Sequence, residues 1–170
     1  MKYIYFDVRY AISVHNTALA VSGGLPGIKD LGQGESVLSH IQNDLYYSTF
    51  EEKLTALVYG FTLGHVFTDG NKRTSIAVGA YFLEVNGLDV FVSKFIIEME
   101  NICVLVADNL IDKDLLLEII TSIINEEEFN EELKLKIVAA LYEYNIKWPE
   151  KAILSKYLNE SESDEGDPRL

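Results

Sequence analysis

One cysteine, Cys103, stands in 170 residues. It excludes an internal disulfide and suits a reducing compartment. Because it lies in an apolar helical stretch, a buried inert thiol is expected there, not a nucleophile. No uncharged apolar run approaches the ~18 residues of a membrane span, so none is expected. The first residues lack a basic stretch followed by an apolar block, so no signal peptide is expected, and the reading is cytoplasmic. Positive charge is scarce. Lys and Arg number 14 against 27 Asp and Glu, a net charge of −13. Residues 1–125 carry 15 acidic and 8 basic residues, net −7, and the remainder is net −6. Such a balance argues against direct nucleic-acid binding, which needs a basic surface. Length and composition otherwise fit a globular domain large enough to bury its own core.

What the chain does have is a nine-residue stretch, His65-Val66-Phe67-Thr68-Asp69-Gly70-Asn71-Lys72-Arg73. Apolar helical patterns flank it, Phe50 to Gly64 before and Thr74 to Asn86 after. It therefore reads as a short loop between two buried helices, with His65 ending the first and Asn71 opening the second. A helix start suits an anion. Its first N–H groups lack internal partners and carry partial positive charge. Gly70 can take a positive φ and turn N–H groups towards one point. Asn71 offers an amide, Lys72 a compact charge, and Arg73 a planar fork for phosphate oxygens. Asp69 offers hard oxygens of the type Mg²⁺ prefers. His65 offers an imidazole, the side-chain type best suited to accept a proton under physiological conditions. Together these are the parts for phosphoryl or nucleotidyl transfer. Between Asp30 and Ser93 the basic residues are Lys53, Lys72 and Arg73, so two of three cluster at that helix start. Cations in a first helical turn oppose the dipole, and an anionic ligand would account for them.

The stretch resembles the active-site motif of the Fic/Doc family, His-x-Phe-x-Asp-Gly-Asn-x-Arg, at all six fixed positions. Lys72 stands where nucleotide-transferring Fic enzymes usually have glycine, and lysine there is similar to the death-on-curing branch. Gly24-Leu25-Pro26-Gly27-Ile28-Lys29-Asp30 and Glu35-Ser36-Val37-Leu38 are similar to the segment that precedes the motif in that branch. The resemblance covers roughly residues 1–125.

It implies an all-α, Fic/Doc-like helical bundle with a short β-hairpin or flap. It also implies a transferase that uses ATP and Mg²⁺. His65 would be the general base, Asp69 the metal ligand, Gly70, Asn71, Lys72 and Arg73 the ATP phosphate site, and Phe67 a structural plug that pins the loop. Ile28, Lys29 and Asp30 would form a flap that docks a protein target through backbone hydrogen bonds. In the death-on-curing branch ATP binds reversed, the γ-phosphate takes the reacting position, and the target is elongation factor Tu, whose modification halts translation. An antitoxin usually restrains such a toxin. Two other functions compete: adenylylation with the same residues, and a non-catalytic binding module.

Elsewhere the pattern is read as follows. Tyr3 to Phe6 is a strand or extended lead-in. Asp7 caps a helix to about Ser22, on which His15 reads as a packing histidine. Leu25 to Gly34 is a loop, then a short helix covers about Glu35 to Gln42, with His40 structural or exposed. Thr49 and Glu52 form a capping box. Gly87 is a left-handed stop. Small residues Ala77, Gly79 and Ala80 imply a central, closely packed helix. Leu88 to Val92 is short and β-prone. Helices follow from Ser93 to about Asn109, from Asp112 to about Asn125, and from Glu131. Trp148 reads as a packing anchor and Pro149 as the first turn of a last helix ending near Leu158. The expected organisation is a catalytic domain over 1–125, a helical extension over 126–158, and an acidic disordered tail over 159–170. Within that tail, Ser161-x-x-x-Glu165-Gly166 resembles an autoinhibitory signature of some Fic proteins. The second motif arginine that such a glutamate contacts is replaced here by Ile76.

Overall fold

The computed structural model describes residues 2–126 and 128–151. Among them the chain forms seven α-helices: α1 (Val8–Ser22), α2 (Leu31–His40), α3 (Phe50–Leu63), α4 (Asn71–Val85), α5 (Val92–Ala107), α6 (Lys113–Ile124) and α7 (Glu131–Lys147). Two 3₁₀ turns cover Asp89–Phe91 and Pro149–Lys151. The fold is an all-α bundle, as the resemblance implied.

Side-chain caps set most of the helix starts. Asp7, Asp30, Thr49, Asp112 and Asn130 each accept a hydrogen bond from a backbone N–H in the first turn of the helix that follows. At α3 the capping box is complete, with Thr49 Oγ1 accepting from the Glu52 N–H and Glu52 Oε2 accepting from the Thr49 N–H. Gly87 ends the α4 region at φ 76°, in the left-handed conformation.

Helices α3 and α4 form the centre. Leu54, Leu57, Val58 and Phe61 of α3 and Val78, Phe82 and Leu83 of α4 are fully buried. Each such side chain contributes about 1.5–3 kcal/mol of transfer free energy. Around α4 pack α1, α3 and α5, and α6 covers α3. Gly79 lets α5 approach, since a Cβ there would meet the Phe95 ring at 2.8 Å. Tyr3 to Phe6 is extended, with no strand partner among the described residues. It is fixed by Asn86, which accepts from the Ile4 N–H (2.7 Å) and donates to the Ile4 carbonyl (3.0 Å).

Four sequence expectations shift. Helix α2 begins at Leu31, not Glu35, because Asp30 caps it by accepting from the Gln33 N–H (3.0 Å). Leu88 to Val92 holds a 3₁₀ turn that runs into α5, so its β-prone side chains are overridden by the packing of α5 on α4. The expected flap contains a single antiparallel bridge, Ile28 to Phe67, and no named strand among the described residues. Lys53, counted among the three basic residues between Asp30 and Ser93, is fully buried: its ammonium donates to the Ile41 carbonyl (2.9 Å) and to Asp44 (2.7 Å).

The last turns of the expected final helix, the tail over 159–170 and the Ser161–Gly166 pattern lie outside the described residues. Trp148 is packed against the core, and its indole N–H donates to Asp108 (2.5 Å). No helix among the described residues is long and apolar enough to cross a membrane.

Candidate active site

The motif leaves α3 at Gly64 and turns sharply at His65, which sits at φ 47°. His65 therefore follows the helix end instead of belonging to its last turn. The sharp turn sorts the next side chains: His65 and Thr68 are exposed, Val66 and Phe67 are buried. Phe67 stacks on the His15 ring, centroids 3.8 Å apart and planes 5° off parallel.

Three backbone bonds tie this loop to the glycine-rich segment between α1 and α2. The Lys29 and Asp30 N–H groups donate to the Val66 carbonyl (2.8 and 3.1 Å), and the Thr68 N–H donates to the Gly27 carbonyl (3.0 Å). Ile28 lies opposite Phe67 in this antiparallel bridge. In a pair of this type the bonds come from the neighbours, so the Ile28 N–H and carbonyl face away from the motif. Ile28 itself is 48% exposed. Of the three flap residues, Lys29 and Asp30 have their N–H groups engaged with the motif. The Asp30 carboxylate caps α2.

Gly70 is the N-cap of α4 at φ 72° and ψ 12°. With the left-handed cap and no side-chain partner, the first N–H groups of α4 stay open. Asp69 is held from two sides: its Oδ1 accepts from the Gly70 N–H (2.6 Å) and its Oδ2 from the Leu25 N–H (3.1 Å). Those two bonds, the one from Leu25 first, lower its pKa below the usual carboxylate value, so it is ionised at neutral pH.

Asn71 differs from its expected part. Its Oδ1 accepts from the Phe67 N–H (2.9 Å) and its Nδ2 donates to the Phe67 carbonyl (2.8 Å). The amide clamps the loop, and what Asn71 can offer an anion is chiefly its backbone N–H. Arg73 also has protein partners. It donates to Ser22 Oγ and to the Gly23 carbonyl (2.8 Å), and lies 3.9 Å from Asp69 Oδ1. The carbonyl-rich end of α1 thus attracts this cation, which gives its place in the first turn of α4 a structural cause. Lys72 is exposed and makes no ion pair among the described residues.

These groups surround a cleft of about 800 Å³. His65, Thr68, Asp69, Gly70, Asn71, Lys72 and Arg73 line it on the motif side. Thr62 and Leu63 of α3, and Ala107 and Asn109 at the end of α5, complete the wall. None of these four was expected at the site: Thr62 and Leu63 end the helix that leads into the motif, and Ala107 and Asn109 come from a distant part of the chain. One signal was present for Asn109: it is the kind of residue that can take the left-handed conformation after a helix, and it does so at φ 60°. Beneath the floor, Thr62 donates to Ser75 Oγ (2.8 Å) and Ser75 donates to the Lys72 carbonyl (2.8 Å). Cys103 lies below them, and burial raises its pKa to about 11.

The described residues contain no group of three His, Cys, Asp or Glu able to hold a metal by themselves. Magnesium is commonly bound by one or two carboxylates with substrate phosphates supplying other ligands. An ionised, partly exposed Asp69 beside an open helix start fits that mode.

Comparison with known proteins gives the same picture. Residues 5–83 match the Fic/DOC family. Over 84 residues the chain is 37% identical to "Protein kinase doc" of Escherichia phage P1, a match that covers 47% of this chain and 66% of that protein. The chain therefore spans just under two thirds of the length of this curated relative. The match, the complete motif and the helical bundle that carries it agree: the chain belongs to the Fic/DOC family.

Proposed function

We propose that the chain is a protein kinase of the toxin type, which moves the γ-phosphate of ATP to a hydroxyl side chain of a protein target. The observation that carries this reading is Lys72. It is a cation in the first turn of α4, without an ion-pair partner among the described residues, on the wall of a cleft shared with His65 and Asp69. By family resemblance, a second phosphate beside the helix start needs the space a glycine leaves, and a lysine there, Lys72 in this chain, favours transfer of the terminal phosphate over AMP transfer.

In this mechanism the open N–H groups of α4, with Lys72, receive the γ-phosphate. Arg73 adds charge at the same end of the helix. Asp69 would hold Mg²⁺, which supplies charge neutralisation on the phosphates when bound. His65 takes the proton of a serine, threonine or tyrosine hydroxyl. The oxygen attacks the γ-phosphorus, the bond to the bridging oxygen breaks, and ADP leaves. The outward N–H and carbonyl of Ile28 offer the target segment a short strand to pair with. By family resemblance the target is a translation factor, elongation factor Tu, and a restraining antitoxin would cover the same groove.

Incubation with γ-labelled and α-labelled ATP tests the reaction, with mass spectrometry of treated cell extract to find the target. A phosphate gain on one protein, lost with His65→Ala, is expected. Transfer of the α label would replace the kinase reading with adenylylation. No transfer from either label, with His65→Ala indistinguishable from the parent, would leave a non-catalytic binding module.

A further inference from the structure

His15 has no part in the mechanism above, yet it touches the motif at Phe67 and the residue that follows the motif, Thr74. It lies on α1, is 1% exposed, and stacks face to face on Phe67. Its Nδ1 lies 3.0 Å from Thr74 Oγ1. The Thr74 hydroxyl in turn donates to the Gly70 carbonyl (3.0 Å), which also accepts the Thr74 N–H (2.9 Å).

The proton arithmetic fixes the ring. A hydroxyl has one proton, and that of Thr74 goes to Gly70. With that proton on Gly70, we assign His15 Nδ1 as the donor to Thr74 Oγ1, and the neutral ring then carries its lone pair on Nε2. Burial first, then the Arg73 guanidinium, lowers the His15 pKa, against a smaller opposing pull from Asp69, so the neutral ring dominates near pH 7. Nε2 is buried and has no hydrogen-bond partner among the described residues. Such an orphan is unfavourable. If stacking on Phe67 were the whole role, a phenylalanine would supply it without the orphan. What histidine adds is the Nδ1–H.

From this geometry we infer that His15 is a positioning residue: through Thr74 it sets the left-handed Gly70 turn, and with it the N–H groups that receive phosphate. A Cβ on Gly70 would lie 3.4 Å from His15 Cε1, so the ring also bounds the space in which the turn can move. Two elements far apart in sequence thus hold one turn, α1 from behind and α4 from within.

The affinity part of this inference rests on the nucleotide reading, so the test has a ligand-free arm. The variants are His15→Phe, which keeps the stack and removes the donor, and Thr74→Val, which removes the hydroxyl at similar volume. Thr74→Ser and His15→Asn restore a hydroxyl and a donor. In the ligand-free chain, amide exchange at Thr74 should quicken roughly tenfold in His15→Phe and Thr74→Val, with the core amides of α3 unchanged. The double variant should be no worse than the worse single one, because both break one relay. The two restoring variants should return most of the protection. Mg-ATP titration should show the same order, with roughly tenfold weaker binding in the two relay-breaking variants. Unchanged exchange at Thr74 in both relay-breaking variants would overturn the inference, whatever ATP does. Quickened exchange in the two relay-breaking variants, together with a parent that binds no Mg-ATP, would support the relay and sink the nucleotide reading instead. Loss of protection across the whole chain, with no recovery in Thr74→Ser, would reduce His15 to a general packing residue and overturn the inference.

Discussion

Two neighbouring glycines make a matched experiment on the site. Gly23 and Gly24 both have positive φ, at 73° and 132°. A Cβ on Gly23 would meet nothing within 4 Å. A Cβ on Gly24 would lie 2.7 Å from Leu19 Cδ2, 2.8 Å from Asp69 Oδ2 and 3.0 Å from Arg73 Nη2. Ordinary contact begins near 3.4 Å, so Leu19 and Asp69 would each have to retreat by about 0.6 Å. Gly23→Ala carries backbone strain alone, about 1–3 kcal/mol, because φ 73° with ψ 176° lies in a region that is essentially glycine-only. Gly24→Ala carries about 1–3 kcal/mol of backbone strain, and the overlap adds to it. For a chain of this length the strain converts to a Tm drop of roughly 2–12 °C for Gly23→Ala, and Gly24→Ala should fall further by what the overlap adds.

The functional contrast is sharper, because the Gly24 methyl pushes on the carboxylate and on the guanidinium together. Mg-ATP affinity should fall by roughly tenfold or more in Gly24→Ala, since sub-ångström misplacement of binding groups is enough for such losses. In Gly23→Ala it should stay within about twofold. Scanning calorimetry and titration calorimetry on the two purified variants read both quantities. Equal Tm shifts, or a Gly24→Ala protein that binds Mg-ATP like the parent, would refute the geometry on which the site is built.

Other outcomes follow from single features. Burial raises the Cys103 pKa from 9.0 to about 11, so the folded state favours the neutral thiol. Its stabilising share is complete below pH 9 and is lost as pH rises towards 11, to a limit of about 2–3 kcal/mol. Alkaline denaturant titrations should show this loss in the parent and not in Cys103→Ala. Asn109→Gly keeps a residue suited to the left-handed turn after α5, so stability should move by less than about 1 kcal/mol. Any change in Mg-ATP affinity then reports the missing amide on the cleft wall. Trp148→Phe removes the indole bond to Asp108, and should cost about 1–2 kcal/mol in chemical denaturation.

Helix starts were legible where a cap stood at the boundary. Asp7, the Thr49–Glu52 box and Asp112 mark α1, α3 and α6, and Gly87 marks the stop after α4. The start of α2 was written in the same way, as Asp30 followed three residues later by Gln33, but the glycines around it read as loop. Leu88 to Val92 misled because its side chains favour strand while its neighbours in space are helices. Within the site, the motif residues were legible as a set and their partners were not. That Asn71 grips Phe67, that Arg73 is drawn to the end of α1, and that His65 turns through a positive φ all depend on how α1 and α4 meet. Local sequence carries no record of that meeting. Thr62, Ala107 and Asn109 escaped for the same reason.

The interior position of Lys53 has an effect on kinetics. With that ammonium sealed inside, Lys72 and Arg73 are the remaining cations at the surface between Asp30 and Ser93, on a chain of net charge −13. A polyanion approaching from afar meets repulsion and finds attraction only within about one screening length of the cleft. Added salt shortens the reach of the repulsion more than it weakens the close contact. Capture of a nucleotide by this protein should therefore speed up as moderate salt is added, the reverse of what a basic protein shows with the same ligand.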